Sequence, residues 1–335
     1  MNPFDEYPNP PPPQEANPKT QEPPDDLAER IVVHTPGHGG QIPGDPISFV
    51  GSSSVPPPPA VISYLPEDLR ISWSWVHLLF FGLFTIGSLI VIQLAIVIYY
   101  AAGQHLTQKQ MEQIFQSKPQ LAVGSNVLWF FLIFLFLYVT LAVLRDRAFW
   151  PTLGWKRLNP AAPAPSNPWI YFGGGIGLAL GVAIVSSHLK TPEHLPIQDL
   201  FKNRTGAMLL MAMAVFVAPL IEETVFRGYL YPLFASSFSR VAARFGADPA
   251  KAIRTGTVLG IVLTGALFGL MHGAQLGWTW GLVGMLVTVG IIFTLARARA
   301  GTVFASFLLH LGYNSMIAVS AIVSTRGFTQ MPPHP

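Results

Sequence analysis

The sequence predicts an all-α fold: a polytopic transmembrane bundle of seven to eight helices, preceded by a disordered, proline-rich N-terminal tail. Three observations carry this. Of the 335 residues 50% are hydrophobic and 11% charged, against roughly 25% charged in a soluble domain. Seven charge-poor apolar stretches recur along the chain, at 78–100, 126–144, 169–186, 206–221, 257–271, 278–296 and 302–324. The prolines are segregated, with 17 of 31 in the first 66 residues.

Residues 1–72 form the expected acidic tail, with proline runs at 10–13 and 56–59 and 10 Asp/Glu against 3 Lys/Arg. Such a stretch buries too little apolar surface to offset its ordering entropy, so it reads as solvated and partly polyproline II. It has no basic segment followed directly by an apolar core, so no cleavable signal peptide is expected. The chain has no cysteine, which excludes disulfides, thiolate metal sites and cysteine nucleophiles.

The first apolar stretch runs from 78 to 100 without a charge, about the 20 residues needed to cross a bilayer. The other six follow, and an eighth span would arise if 206–238 held two. The remaining domains are then 73–204, the N-terminal membrane helices; 205–324, a catalytic membrane part; and 325–335, a C-terminal tail.

Loop charges orient the bundle. With seven spans, one set of loops holds Arg145, Arg147, Lys156, Arg157, Arg240, Arg244, Lys251, Arg254, Arg297 and Arg299, and the other holds Lys109, Lys118, Lys190, Lys202, Arg204 and Arg326. Ten against six places the N-terminus in the cytoplasm, as in the inner membrane of a bacterium. These cations sit singly or in pairs between apolar runs, so no nucleic-acid partner is expected. Gly173, Gly177 and Gly181 recur every four residues and read as a ridge that lets two helices approach closely. The polar stretch 237–257 reads as a short helix in the interfacial plane.

Most spans lack ionisable residues, so the exceptions stand out: Glu222, Glu223 and Arg227 in the fourth, His272 closing the fifth, and His310 with Asn314 in the seventh. A charge at membrane depth costs about 2.5 to 3.5 kcal/mol even on the lenient insertion scale, which makes such residues functional by default. Adjacent helical residues lie about 100° apart, so the two glutamates point in different directions. Glu223 and Arg227 are i and i+4 with the acid first, the favourable order for an ion pair. Glu222 has no partner on its own helix and is the candidate proton acceptor. Pro219 removes a backbone hydrogen bond one turn earlier. Phe268 lies one turn before His272 as an apolar wall, and His310 and Asn314 project side by side as hydrogen-bonding groups. A carboxylate base, an imidazole and a pair of donors suit attack of water on a carbonyl and stabilisation of the oxyanion.

Taken singly, each element also has a bland reading. Glu223 and Arg227 could be a structural ion pair, His272 an interfacial histidine, and His310 with Asn314 interhelical hydrogen bonding. His77, at the start of the first span, reads as a surface residue. No His-Glu-x-x-His helix, Gly-x-Ser-x-Gly elbow or intramembrane aspartate pair occurs.

The runs Glu222-Glu223-Thr-Val-Phe-Arg227, Phe268-Gly-Leu-Met-His272 and His310-Leu-Gly-Tyr-Asn314 resemble the three signatures of the CPBP family of intramembrane proteases. These are the type II CAAX prenyl endopeptidases and their bacterial relatives, also called the Abi family. The resemblance covers about 206–324 and implies a metal-independent, cofactor-free glutamic endopeptidase. Glu222 would activate water with help from His272, His310 and Asn314 would form the oxyanion site, and Glu223 with Arg227 would support them. The implied partners are the lipid bilayer and a peptide or protein substrate that is membrane-associated or lipidated. Two other readings use the same residues: a divalent metal on Glu222, His272 and His310, and a non-catalytic immunity, binding or proton-relay protein.

Overall fold

The structure is a computed structural model that describes residues 64–103, 118–161, 164–189 and 204–329, with Thr107, Gln110, Pro192 and Leu195. The expected tail lies outside the described residues up to position 63, as do Lys109, Lys190 and Lys202. Among the described residues every regular element is helical.

Among the described residues seven helices are long and apolar enough to cross a membrane. They are α1 (Trp75–Ile98), α2 (Pro119–Leu141), α3 (Pro168–Ser186), α4 (Arg204–Arg244), α5 (Pro249–Met271), α6 (Trp280–Ala300) and α7 (Val303–Ser324). The outer surface is apolar: α1 alone exposes Leu79, Phe80, Leu83, Ile86, Ile90 and Leu94. Contiguous apolar surface of this kind is incompatible with water and suits lipid.

Helix ends follow local chemistry. Asn167 caps α3 by accepting from Trp169 N, Asp248 caps α5 by accepting from Lys251 N, and Thr302 caps α7 by accepting from Phe304 N, each supplying an oxygen for an orphan donor. Pro168 and Pro249 sit in the first turn, where a missing N–H costs nothing. Gly301 ends α6 in the left-handed conformation, φ 67°.

α4 settles the choice between seven and eight spans. It is one continuous helix of 41 residues, so 206–238 does not fold back on itself. Two π turns, Met213–Val217 and Thr224–Leu230, bracket the short α-helical stretch Ala218–Glu223. The first has an identifiable cause: Pro219 has no N–H to donate, and Ala218 N bonds to Met213 O, five residues back.

The structure changes two local expectations. The stretch 237–257 is not a separate interfacial helix, because its first half completes α4 and its second half begins α5, with a turn through Gly246 (φ 86°) between them. Arg240 and Arg244 are thus the polar end of a long helix. The glycine ridge of α3 is also displaced. A Cβ on Gly173, Gly177 or Gly181 would meet open space, whereas one on Gly175 would collide with the Leu309 carbonyl. Tyr171, Gly175 and Ala179 are the buried face, two residues away and therefore about 200° round the helix. On α7, Gly312 answers Gly175: a Cβ there would strike the Phe172 carbonyl. The close approach of α3 to α7 fixes the helix that carries His310.

Candidate active site

The middle of α4 brings two carboxylates to the interior, and α5, α6 and α7 close around them. Glu223 is completely buried and accepts at Oε1 from Arg227 Nη1 and from His310 Nδ1, each at 2.9 Å. The i,i+4 pair expected from spacing is thus present, with a third member 87 residues away in sequence.

Arg227 is also completely buried, and its donors are distributed with little waste. Besides Glu223, Nη2 donates to Gly290 O at 2.9 Å and Nε to Thr294 Oγ1 at 3.3 Å. The guanidinium lies 4.5 Å from the Phe268 ring centroid and 5.3 Å from that of Phe293, so the aromatic faces supply what further partners would. Gly290 has no space for a side chain, since a Cβ would lie 2.8 Å from Gly265 O. A buried charge of this kind is tolerated only when its partner and its hydrogen bonds are all in place.

His310 links the two glutamates. Its Nδ1 faces Glu223, and its Nε2 lies 3.9 Å from Glu222 Oε2. The bond to a carboxylate, which only accepts when ionised, assigns the proton to Nδ1. The ring is 4% exposed and packs 4.7 Å from the Phe293 ring and 5.8 Å from Phe268. Glu222 differs from its neighbour: its side chain keeps 17% exposure and its approach to Nε2 is too long for a hydrogen bond. It is the accessible carboxylate of the two.

His272 ends α5, where its Nδ1 donates to Phe268 O at 2.8 Å, leaving Nε2 as an acceptor. Its ring lies 4.8 Å from Phe268, so the two histidines share one aromatic neighbour. Asn314, one turn beyond His310, donates from Nδ2 to Ala214 O at 2.7 Å. That carbonyl is available because of the first π turn: Ala218 N is taken by Met213 O, and residue 219 is a proline.

Glu222, Glu223, Arg227 and His310 are therefore in one contiguous cluster, His272 joins it through Phe268, and Asn314 fastens α7 to α4 beside it. Thr294, Gly290 and Phe293 were not singled out from the sequence. A threonine and a glycine in an apolar helix carry no signal until Arg227 is seen to need acceptors. His77 is not the surface residue expected. Its Nδ1 lies 2.7 Å from Tyr229 Oη and its Nε2 2.9 Å from Thr140 Oγ1, joining α1 and α2 to the second π turn. Among the described residues no group of three His, Asp or Glu side chains is placed to hold a metal ion.

Residues 204–316 match the family model described as type II CAAX prenyl endopeptidase Rce1-like. This stretch, about a third of the chain, is similar to that family. It spans all three motifs and agrees with the resemblance they carry. No curated protein and no solved structure matches the chain. The matched family is one of proteases, hydrolases of peptide bonds, and the matched stretch lies within an integral, multi-pass membrane protein.

Proposed function

We propose that this protein is an intramembrane endopeptidase that hydrolyses a peptide bond of a membrane-associated or lipidated substrate, using water activated by Glu222 and no metal ion. The observation that carries the reading is the contrast between neighbouring carboxylates. Glu223 is spoken for by Arg227 and His310, while Glu222 is partly exposed and 3.9 Å from His310 Nε2.

In this mechanism a water sits between Glu222 and His272. It gives one hydrogen bond to the carboxylate and one to Nε2 of His272, whose Nδ1 is committed to Phe268 O. The water oxygen attacks the carbonyl carbon, and its proton passes to Glu222. The oxyanion is met by His310, as an imidazolium held by the Glu223 carboxylate, and by the second amide hydrogen of Asn314, the first being engaged by Ala214 O. Collapse of the tetrahedral species breaks the C–N bond, and Glu222 returns the proton to the leaving amine. Glu223 and Arg227 position His310 and do not touch substrate. Residues 73–204 act as scaffold and 205–324 as the catalytic part, in an inner membrane with the N-terminus cytoplasmic.

The test is comparison of protein termini in membranes of cells carrying the normal chain and Glu222→Gln. A terminus present with the first and missing with the second identifies the substrate. Identical termini in both, with the variant folded and inserted, would remove the proposal.

A further inference from the structure

A polar cavity of about 190 Å³ lies where the segment before α1, the connection from α2 to α3, α4 and the end of α6 meet. None of the candidate catalytic side chains lines it. Four cations do, Arg70, Arg147, Lys156 and Arg297, against two carboxylates, Glu67 and Asp68.

Each carboxylate has a cation of its own. Lys156 Nζ donates to Glu67 at 2.7 Å, and this bond holds the exposed Glu67 carboxyl below its ordinary range. Arg297 reaches Asp68 at 3.4 Å. Arg147 is exposed where the cavity meets solvent.

Arg297 is the anomaly. It is 1% exposed, yet its Nε has no hydrogen-bond partner and its one ion pair is long. A buried guanidinium carries donors on three nitrogens, and at Arg227 each nitrogen has an acceptor supplied by the protein. Arg297 has a thinner set, the long pair to Asp68 and the Tyr231 ring 5.8 Å from its guanidinium. Beside it, Gly154 has φ 77°, and a Cβ there would sit 2.7 Å from Arg297 Nη2, so the backbone keeps clear of the guanidinium by having no side chain. The cavity is bordered by the segment before α1, the connection from α2 to α3 and the end of α6, where apolar spans give way to polar residues, and basic pockets between membrane helices suit lipid headgroups.

We infer that this cavity binds a phosphate group, held by Arg297 and Arg147 with Lys156 alongside. A planar guanidinium matches phosphate oxygens two at a time, and a bound phosphate would supply the buried donors with acceptors. The phosphate belongs either to an anionic phospholipid or to free inorganic phosphate. The inference is independent of the proteolytic reading.

The test is thermal unfolding of the purified full-length chain in neutral detergent, titrated with sodium phosphate, with short-chain phosphatidylglycerol, and with sodium chloride at matched ionic strength. A saturable rise in melting temperature with phosphate or phosphatidylglycerol, absent with chloride, is expected. Its midpoint should move at least tenfold higher in Arg147→Gln and Arg297→Lys. A response to phosphate assigns a free anion, and a response to phosphatidylglycerol alone assigns a headgroup. Arg147→Gln is a surface change and carries the test alone should Arg297→Lys not fold. No saturable rise with either probe, or an unmoved midpoint in Arg147→Gln, would overturn the inference.

Discussion

Asn314 donates its side-chain amide to the Ala214 carbonyl at 2.7 Å, fastening the fourth and seventh membrane helices one turn from His310. The acceptor exists because Pro219 cannot donate and Ala218 N is drawn to Met213 O. A proline in one helix thus determines what an asparagine in another can do.

Pro219→Ala should separate stability from activity. The new N–H gives α4 a further backbone bond, and the interior proline it removes costs a helix about 3 kcal/mol. The same N–H competes with Asn314 for the carbonyls of the preceding turn. The expected outcome is a melting temperature equal to or above the parent's with cleavage lowered; displacement of about 1 Å can cost about 100-fold. Parallel melting and cleavage assays check it, and unchanged cleavage would count against the link.

Arg227→Ala should unfold or severely weaken the protein. It leaves the buried Glu223 without its guanidinium and takes one donor each from Gly290 O and Thr294 Oγ1, Gly290 O keeping the Thr294 hydroxyl. Breaking a buried pair from one side costs about 3–5 kcal/mol. Arg227→Lys keeps the charge but not the fork, so it should fall between the two in thermal unfolding.

The α3–α7 contact offers an internal control. Gly175→Ala and Gly312→Ala place a methyl on the Leu309 and Phe172 carbonyls, an overpacking expected to cost about 1–3 kcal/mol. Both should lower cleavage as well, because Leu309 is the residue before His310. Gly173→Ala and Gly177→Ala meet open space and should be neutral or slightly stabilising. Equal effects from the two pairs in a melting series would contradict the packing described.

His77→Phe should cost stability and little else. It removes the links to Tyr229 and Thr140; Thr140 keeps its bond to Phe136 O, but leaving the buried Tyr229 hydroxyl without His77 costs about 1–3 kcal/mol. Melting temperature should drop while kcat per folded enzyme holds.

What the sequence made legible follows from the range of each interaction. Glu223 and Arg227 pair within one helical turn, so spacing revealed them. The bond from His310 to Glu223 spans 87 residues, and only the joint occurrence of charged groups in apolar segments hinted that they meet. Gly290 and Thr294 carry no chemical signal alone, because their role is to accept from Arg227. The α3 ridge lies off the stripe that glycine spacing suggests, because 171, 175, 179 and 173, 177, 181 repeat with the same four-residue period and hydropathy does not say which stripe a neighbour will meet. His77 looked superficial because it opens a span, yet α2 and the π turn of α4 cover it. The stretch 237–257 was amphipathic for a different reason than expected: it contains the polar ends of two consecutive helices.

The central claim is that adjacent glutamates do different work, and a paired measurement tests it most directly. Cleavage and thermal unfolding are followed in Glu222→Gln and Glu223→Gln, using the substrate identified from membrane termini. Glu222→Gln should abolish cleavage with its melting temperature within a degree or two of the parent, while Glu223→Gln should lose both activity and several degrees of stability. Cleavage by Glu222→Gln at the normal rate, in a folded and inserted protein, would contradict the account.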